Sequence, residues 1–170
     1  VSFYSESGYP KESVIEYLLT IANSNFEDWR KANKTAPQSA FPFNLKKMSA
    51  SGALFDLNKL NDVSKNVISL MTADEVYEKA TAWAKDNDSE LYAFLGGNAE
   101  FAKGIFSIDR GTAKPRKDIA KWDEVKDYIS YFYDELYTPD YTLPEGISKE
   151  DAVAILEKYI DIFDASDDKD

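Results

Sequence analysis

The chain contains no histidine and no cysteine. Zero cysteine excludes disulfides and thiol chemistry. Zero histidine removes the base that usually activates a serine or threonine nucleophile, so no catalytic residue is assigned. No apolar run approaches the roughly 20 residues needed to cross a bilayer, and no basic segment followed by an apolar stretch opens the chain. Neither a membrane partner nor a secretory leader is therefore expected, and a soluble cytoplasmic setting is. Strand-like alternation, internal repeats and low-complexity blocks are also lacking, which leaves an all-α fold. Acid pairs such as Asp86 with Asp88, or Asp161 with Asp164, lack the spaced oxygen ligands of a calcium loop, so no metal site is expected.

What the chain has is aromatic residues and an uneven charge. Its 170 residues include 11 Tyr, 10 Phe and 3 Trp, enough for one or two small domains with dense cores. The net charge is −11, but from Asp134 onward there are twelve acids against three lysines. Residues 1 to 133 hold 17 basic and 19 acidic groups. Between Trp29 and Phe55 there is no acid, and Arg30, Lys31, Lys34, Lys46 and Lys47 stand alone. Arg110, Lys114, Arg116 and Lys117 form a second run on a Gly- and Pro-containing loop. Loop cations of this kind can reach phosphate oxygens and base edges, so a polyanionic partner is the functional reading. The alternative is a helical protein-interaction module whose acidic C-terminal third docks a basic partner.

Helical signals run throughout. Pro10 followed by Val14, Ile15, Leu18, Leu19 and Ile21 predicts a helix with proline in its first turn, and Phe26 with Trp29 a short continuation. Lys34 to Gly52 reads as an irregular loop with an apolar anchor at Phe41 and Phe43. Asp56 opens a helix through Leu60, Val63, Val67 and Ile68. Thr72 and Glu75 form a capping box before a helix facing inward through Val76, Tyr77, Ala80 and Trp83. Two shorter helices, over 88–95 and 98–108, are expected on either side of Gly96 and Gly97. An aromatic helix is predicted from Trp122 to Leu136, and Ser148 opens the last one, carrying Val153, Leu156, Tyr159, Ile160 and Phe163. Tyr137 and Tyr141 are expected to be exposed, and the tail from Asp164 to fray.

Three segments, in order, resemble glutamyl-tRNA synthetases. Ser2 to Leu19, with its Gly8-Tyr9-Pro10 turn and following helix, is similar to the family's stretch just past its nucleotide loop. Ala53-Leu-Phe-Asp56-Leu-Asn-Lys-Leu-Asn61 resembles its "AVFDLEKLN" segment, with Asn61-Asp62-Val63 departing from the family's "WLN". Lys114-Pro-Arg116-Lys-Asp-Ile-Ala-Lys-Trp122, continuing through Tyr131-Phe-Tyr133, resembles a basic loop and aromatic helix of the anticodon-binding region. Lys47-Met-Ser-Ala-Ser51 looks like the class I nucleotide-loop signature, but Ala50 replaces its second lysine, and the resemblance makes it a noncatalytic stretch.

The resemblance implies an all-α fragment lying after the catalytic domain and inactive alone. Residues 1–71 would be a helical stem-contact unit and residues 72–170 the first part of an anticodon-binding helical domain. The partner would be tRNA, either glutamate tRNA alone or glutamine tRNA as well, with no DNA. The contacts are assigned to Arg110, Lys114, Arg116, Lys117, Lys46 and Lys47. The fragment itself would need no cofactor, its parent using ATP with Mg, and it would be a monomer.

Overall fold

The computed structural model describes residues 2–48 and 54–163. Nucleotide-loop residues 49–51, Ala53 of the second resembling segment, and Asp164 with the expected frayed tail lie outside the described residues. All regular structure among the described residues is helical: α1 (Ser2–Glu6), α2 (Lys11–Ala22), α3 (Phe26–Ala32), α4 (Leu57–Ser69), α5 (Ala73–Asn87), α6 (Ser89–Gly97), α7 (Ala99–Ser107), α8 (Val125–Ile129) and α9 (Lys149–Ile162), with short 3-10 turns between some of them. Extended pairing amounts to one isolated bridge, Asn23 to Met48. The all-α expectation holds.

Helix starts follow local chemistry. The Asp56 side chain accepts from the Lys59 amide, and Thr72 and Glu75 satisfy each other's amides as a capping box. Asp88, Asn98 and Ser148 accept amides at the starts of α6, α7 and α9. Gly96 and Gly97 do not separate two helices as expected; they form the last turn of α6, and the Asn98 cap alone marks the break before α7.

The compact unit spanning Val1–Tyr137 contains two apolar clusters. Tyr9, Tyr17 and Leu60 anchor the first, between α2 and α4. The second gathers Val76, Ala80 and Ala84 of α5 against Leu91, Leu95, Ala102, Ile105 and Phe106, and against Ile119, Trp122, Val125 and Ile129. The alanines on α5 let α6 and α7 approach closely, while Tyr77 and Trp83 are only partly covered. Where the two clusters meet, polar contacts tie them. The buried Ser64 hydroxyl meets the Ser13 hydroxyl at 2.8 Å and donates to the Ala120 carbonyl at 2.5 Å. The Trp122 amide donates to the Gly8 carbonyl at 2.9 Å.

Two helices depart from expectation. On α2 the buried side chains are Ser13, Glu16 and Tyr17, whereas Ile15 and Leu18 of the apolar series are exposed. These polar groups tolerate burial because each has a partner: Ser64 for Ser13, the Asp56 amide for the Tyr17 hydroxyl, and Arg30 for Glu16. The expected aromatic helix from Trp122 to Leu136 is regular α-helix only over α8, tightened to 3-10 turns at 122–124 and 130–132. Its β-branched, aromatic and Asp/Ser-rich composition has weak helix propensity, and packing of Trp122, Val125 and Ile129 into the core decides its path. The second unit begins at Thr138 and contains α9, where the ring of Tyr159 lies 5.5 Å from that of Phe163 just past the helix end. Tyr137 and Tyr141 are exposed, as expected.

Candidate nucleic-acid interface

The basic loop leaves α7 after Ser107 and re-enters the core at Ile119 and Ala120. Asp109 and Gly111 both take left-handed conformations, at φ 54° and 76°, and turn the chain sharply on either side of Arg110. Arg110 points inward. Its Nε donates to the Phe106 carbonyl at 2.8 Å, and its Nη1 to those of Ile68 at 2.6 Å and Met71 at 3.0 Å. Phe106 and Ile68 lie in the last turns of α7 and α4 and Met71 just past α4, where carbonyls run short of helical partners and the helix dipole favours a cation; Ile68 also accepts the Met71 amide at 3.1 Å. Burial pulls the guanidinium below its ordinary pKa.

Beyond Gly111 the loop stands out from the surface. Lys114, Arg116 and Lys117 are exposed, while Pro115 is half-buried. The Arg116 Nε donates to Asp118 Oδ2 at 2.7 Å, a contact that raises its pKa. Lys114 and Lys117 have no ion pair among the described residues. At the far end, the Ala120 amide is held by Glu124 Oε2 at 2.7 Å and its carbonyl by Ser64. The result is a loop pinned at both ends with its cations outward.

A shallow depression beside this loop is lined by Lys65, Ile68, Arg110, Arg116, Asp118 and Tyr128. Lys65 was not among the residues singled out from the sequence. It sits within α4, where a lone lysine reads as ordinary helix surface, and no sequence signal sets it apart. A wider groove adjoins, with Leu70, Met71 and Thr72 of the α4–α5 junction facing Arg110, Thr112 and Pro115.

The other two site residues stand elsewhere in the sequence. Lys46 and Lys47 lie exposed on a 3-10 turn, which the Asn44 side chain caps through the Lys46 amide at 2.9 Å. The turn is anchored by Asn23, whose Nδ2 donates to the Asn44 carbonyl at 3.0 Å and which bridges Met48. No hydrogen bond or ion pair among the described residues joins this turn to the 110–117 loop. Arg30, from the same basic zone, is used internally: it pairs with Glu16, caps the Asn33 and Ala36 carbonyls at 2.9 and 2.7 Å, and lies over Trp29. Among the described residues there is no group of three or more acids that could hold a metal ion, and no helix is long and apolar enough to cross a membrane.

Chemically, outward loop cations on a fixed base can neutralise phosphates, and Arg116 can also present a planar guanidinium edge.

The sequence is similar to glutamate–tRNA ligases along nearly its whole length. It is 53% identical over 163 residues to that of Clostridium beijerinckii, covering 94% of this chain and 30% of the ligase. It is 49% identical to that of Clostridium perfringens, over all of this chain and 32% of the ligase. With that of Sorangium cellulosum the identity is 42%, over all of this chain and 30% of the ligase. The chain thus spans about a third of the length of the curated relatives it matches. No family model matches the chain, nor does any solved structure. The resemblance to glutamyl-tRNA synthetases read from the three sequence segments therefore extends over the chain as a whole.

Proposed function

We propose that this relative of glutamate–tRNA ligases is their tRNA-binding portion, lying C-terminal to the catalytic domain and without ligase activity by itself. The full-length parent would join glutamate to tRNA with ATP and Mg, and this chain would position the RNA. Residues 1–71 are assigned to a stem contact and residues 72–170 to the first part of the anticodon-binding region. The observation that carries the reading is the pinned loop that turns Lys114, Arg116 and Lys117 to solvent within an acidic protein, on a chain matched throughout by these ligases. Lys46 and Lys47 supply a second, separate backbone contact. Arg116 is the candidate for a base edge, since a guanidinium can make paired hydrogen bonds that a lysine cannot. Lys65 extends the same face.

The chain is expected to bind glutamate tRNA in preference to an unrelated tRNA, measured by fluorescence anisotropy in low salt. Glutamine tRNA in a third titration decides whether the surface separates the two isoacceptor families. Equal affinity for all three would remove the anticodon assignment. Absence of binding to any of them would favour the protein-interaction reading.

A further inference from the structure

We infer that Arg110 is a positioning residue, which locks the basic loop to the α4–α5 junction so that the loop cations and the two helices form one prearranged RNA-binding face. This inference rests on the RNA-binding reading and deepens it, because Arg110 stands in the middle of the basic run but does not share its outward aspect. All its hydrogen bonds go to main-chain carbonyls, and they come from both sides of the groove: Phe106 on the loop's own helix, and Ile68 with Met71 across from it, 42 and 39 residues away in sequence. Among the described residues no carboxylate lies within ion-pairing distance of it. A guanidinium occupied in this way keeps only its Nη2 hydrogens for a phosphate, and withdrawing it would leave the Phe106 and Met71 carbonyls without a donor among the described residues, while Ile68 would keep the Met71 amide.

Two further features fit a bracket rather than a contact. The left-handed residues Asp109 and Gly111 flank Arg110, so the backbone is bent where the side chain must turn back into the protein. Two of the acceptors, Ile68 and Met71, also lie at and just past the end of α4, immediately before Thr72 and the capping box of α5. Arg110 thus ties the end of α7 and the loop that follows it to the end of α4, where the proposed stem-side helices give way to the anticodon-side ones. Only a forked donor set reaches carbonyls in two directions at once; a lysine ammonium is a single point and cannot span them. Lysine would, however, serve as well as arginine for simply neutralising a phosphate. That difference gives the test.

The full chain is titrated with glutamate tRNA over a range of salt concentrations for the wild type, Arg110→Ala, Arg110→Lys and Lys114→Ala. The Lys variant keeps the charge and the aliphatic stem, and carries the test if the Ala variant does not fold. Because the chain has no native cysteine, Ala113→Cys also gives a single site for a nitroxide label, whose spectrum reports loop mobility on the nanosecond scale without any RNA. The bracket predicts that Arg110→Lys weakens binding roughly tenfold through lost preorganisation. It also predicts an unchanged slope of log K against log salt, and a sharper, more mobile label spectrum than wild type. Lys114→Ala should instead lower the slope by about 0.7 to 0.9, as expected for one lost phosphate contact. Full recovery of affinity in Arg110→Lys, with a reduced slope in Arg110→Ala, would make Arg110 a phosphate contact and overturn the bracket. If the wild type binds no tRNA, the RNA reading fails, and the label decides the bracket alone: an unchanged spectrum in Arg110→Lys overturns it.

Discussion

Gly8→Ala is expected to destabilise the chain by about 3 to 5 kcal/mol, the sum of two separate penalties. Gly8 sits at φ 82°, a conformation that costs an L side chain energy wherever it occurs. The space is also closed: a Cβ built there would lie 2.8 Å from the Trp122 amide nitrogen and 2.9 Å from the Trp122 Cβ. Neither atom is the end of a flexible side chain. To relieve the clash, the 120s segment would have to move away, breaking the Trp122 amide bond to the Gly8 carbonyl and drawing Trp122 out of the core. For a chain of this size the thermal midpoint should fall by roughly 10 °C. A shift of less than about 2 °C by circular dichroism would mean that the Gly8-to-Trp122 seam is not as tight as described. This gives a physical reason for glycine in the Gly8-Tyr9-Pro10 turn: it lets α1 and α2 close against the segment that follows the basic loop.

Phe106→Ala should cost a similar 3 to 5 kcal/mol. The ring is fully buried and lies parallel to Tyr128, with centroids 6.3 Å apart. Its removal opens a cavity on the side of the core that supports the loop, and the Phe106 carbonyl is one of the three acceptors of Arg110. The expected result in urea is a lower midpoint with an unchanged m-value, the sign of lost stability without a change in compactness. Phe101→Ala is the comparison, since that ring is 43% exposed at the rim. It should cost clearly less, and an equal loss at both positions would contradict the placement of Phe106 in the core.

How much of this was legible in the sequence depended on how local the deciding contacts were. The caps at Asp56, Thr72 and Ser148 were readable because a cap residue and its amide lie three residues apart. The exposure of Tyr137 and Tyr141 followed from their proline-rich setting. The inward face of α2 was not readable, since Ser13 and Tyr17 are buried on the strength of partners 51 and 39 residues away. The same distance effect hid α8, whose extent is decided by a core that sequence periodicity does not display, and the short α1 gave no apolar pattern to read.

At the candidate site, the charge run identified the loop, but charge alone does not say which cations turn outward. Lys114 and Lys117 are exposed on the loop. Arg110 carries the same sequence signal and is turned inward by carbonyls of Ile68 and Met71. Lys65 gave no signal, because its place beside the loop exists only once α4 is packed.

The central claim is that the loop's outward cations neutralise RNA phosphates, and the salt dependence of binding tests it most directly. Affinity for glutamate tRNA is measured for the wild type and for Lys114→Ala with Lys117→Ala, a pair with no recorded ion pairing among the described residues and hence little bearing on the fold. The account predicts weaker binding and a slope of log K against log salt reduced by about 1.4 to 1.8, for two lost phosphate contacts. An unchanged slope and affinity in a folded double variant would contradict it.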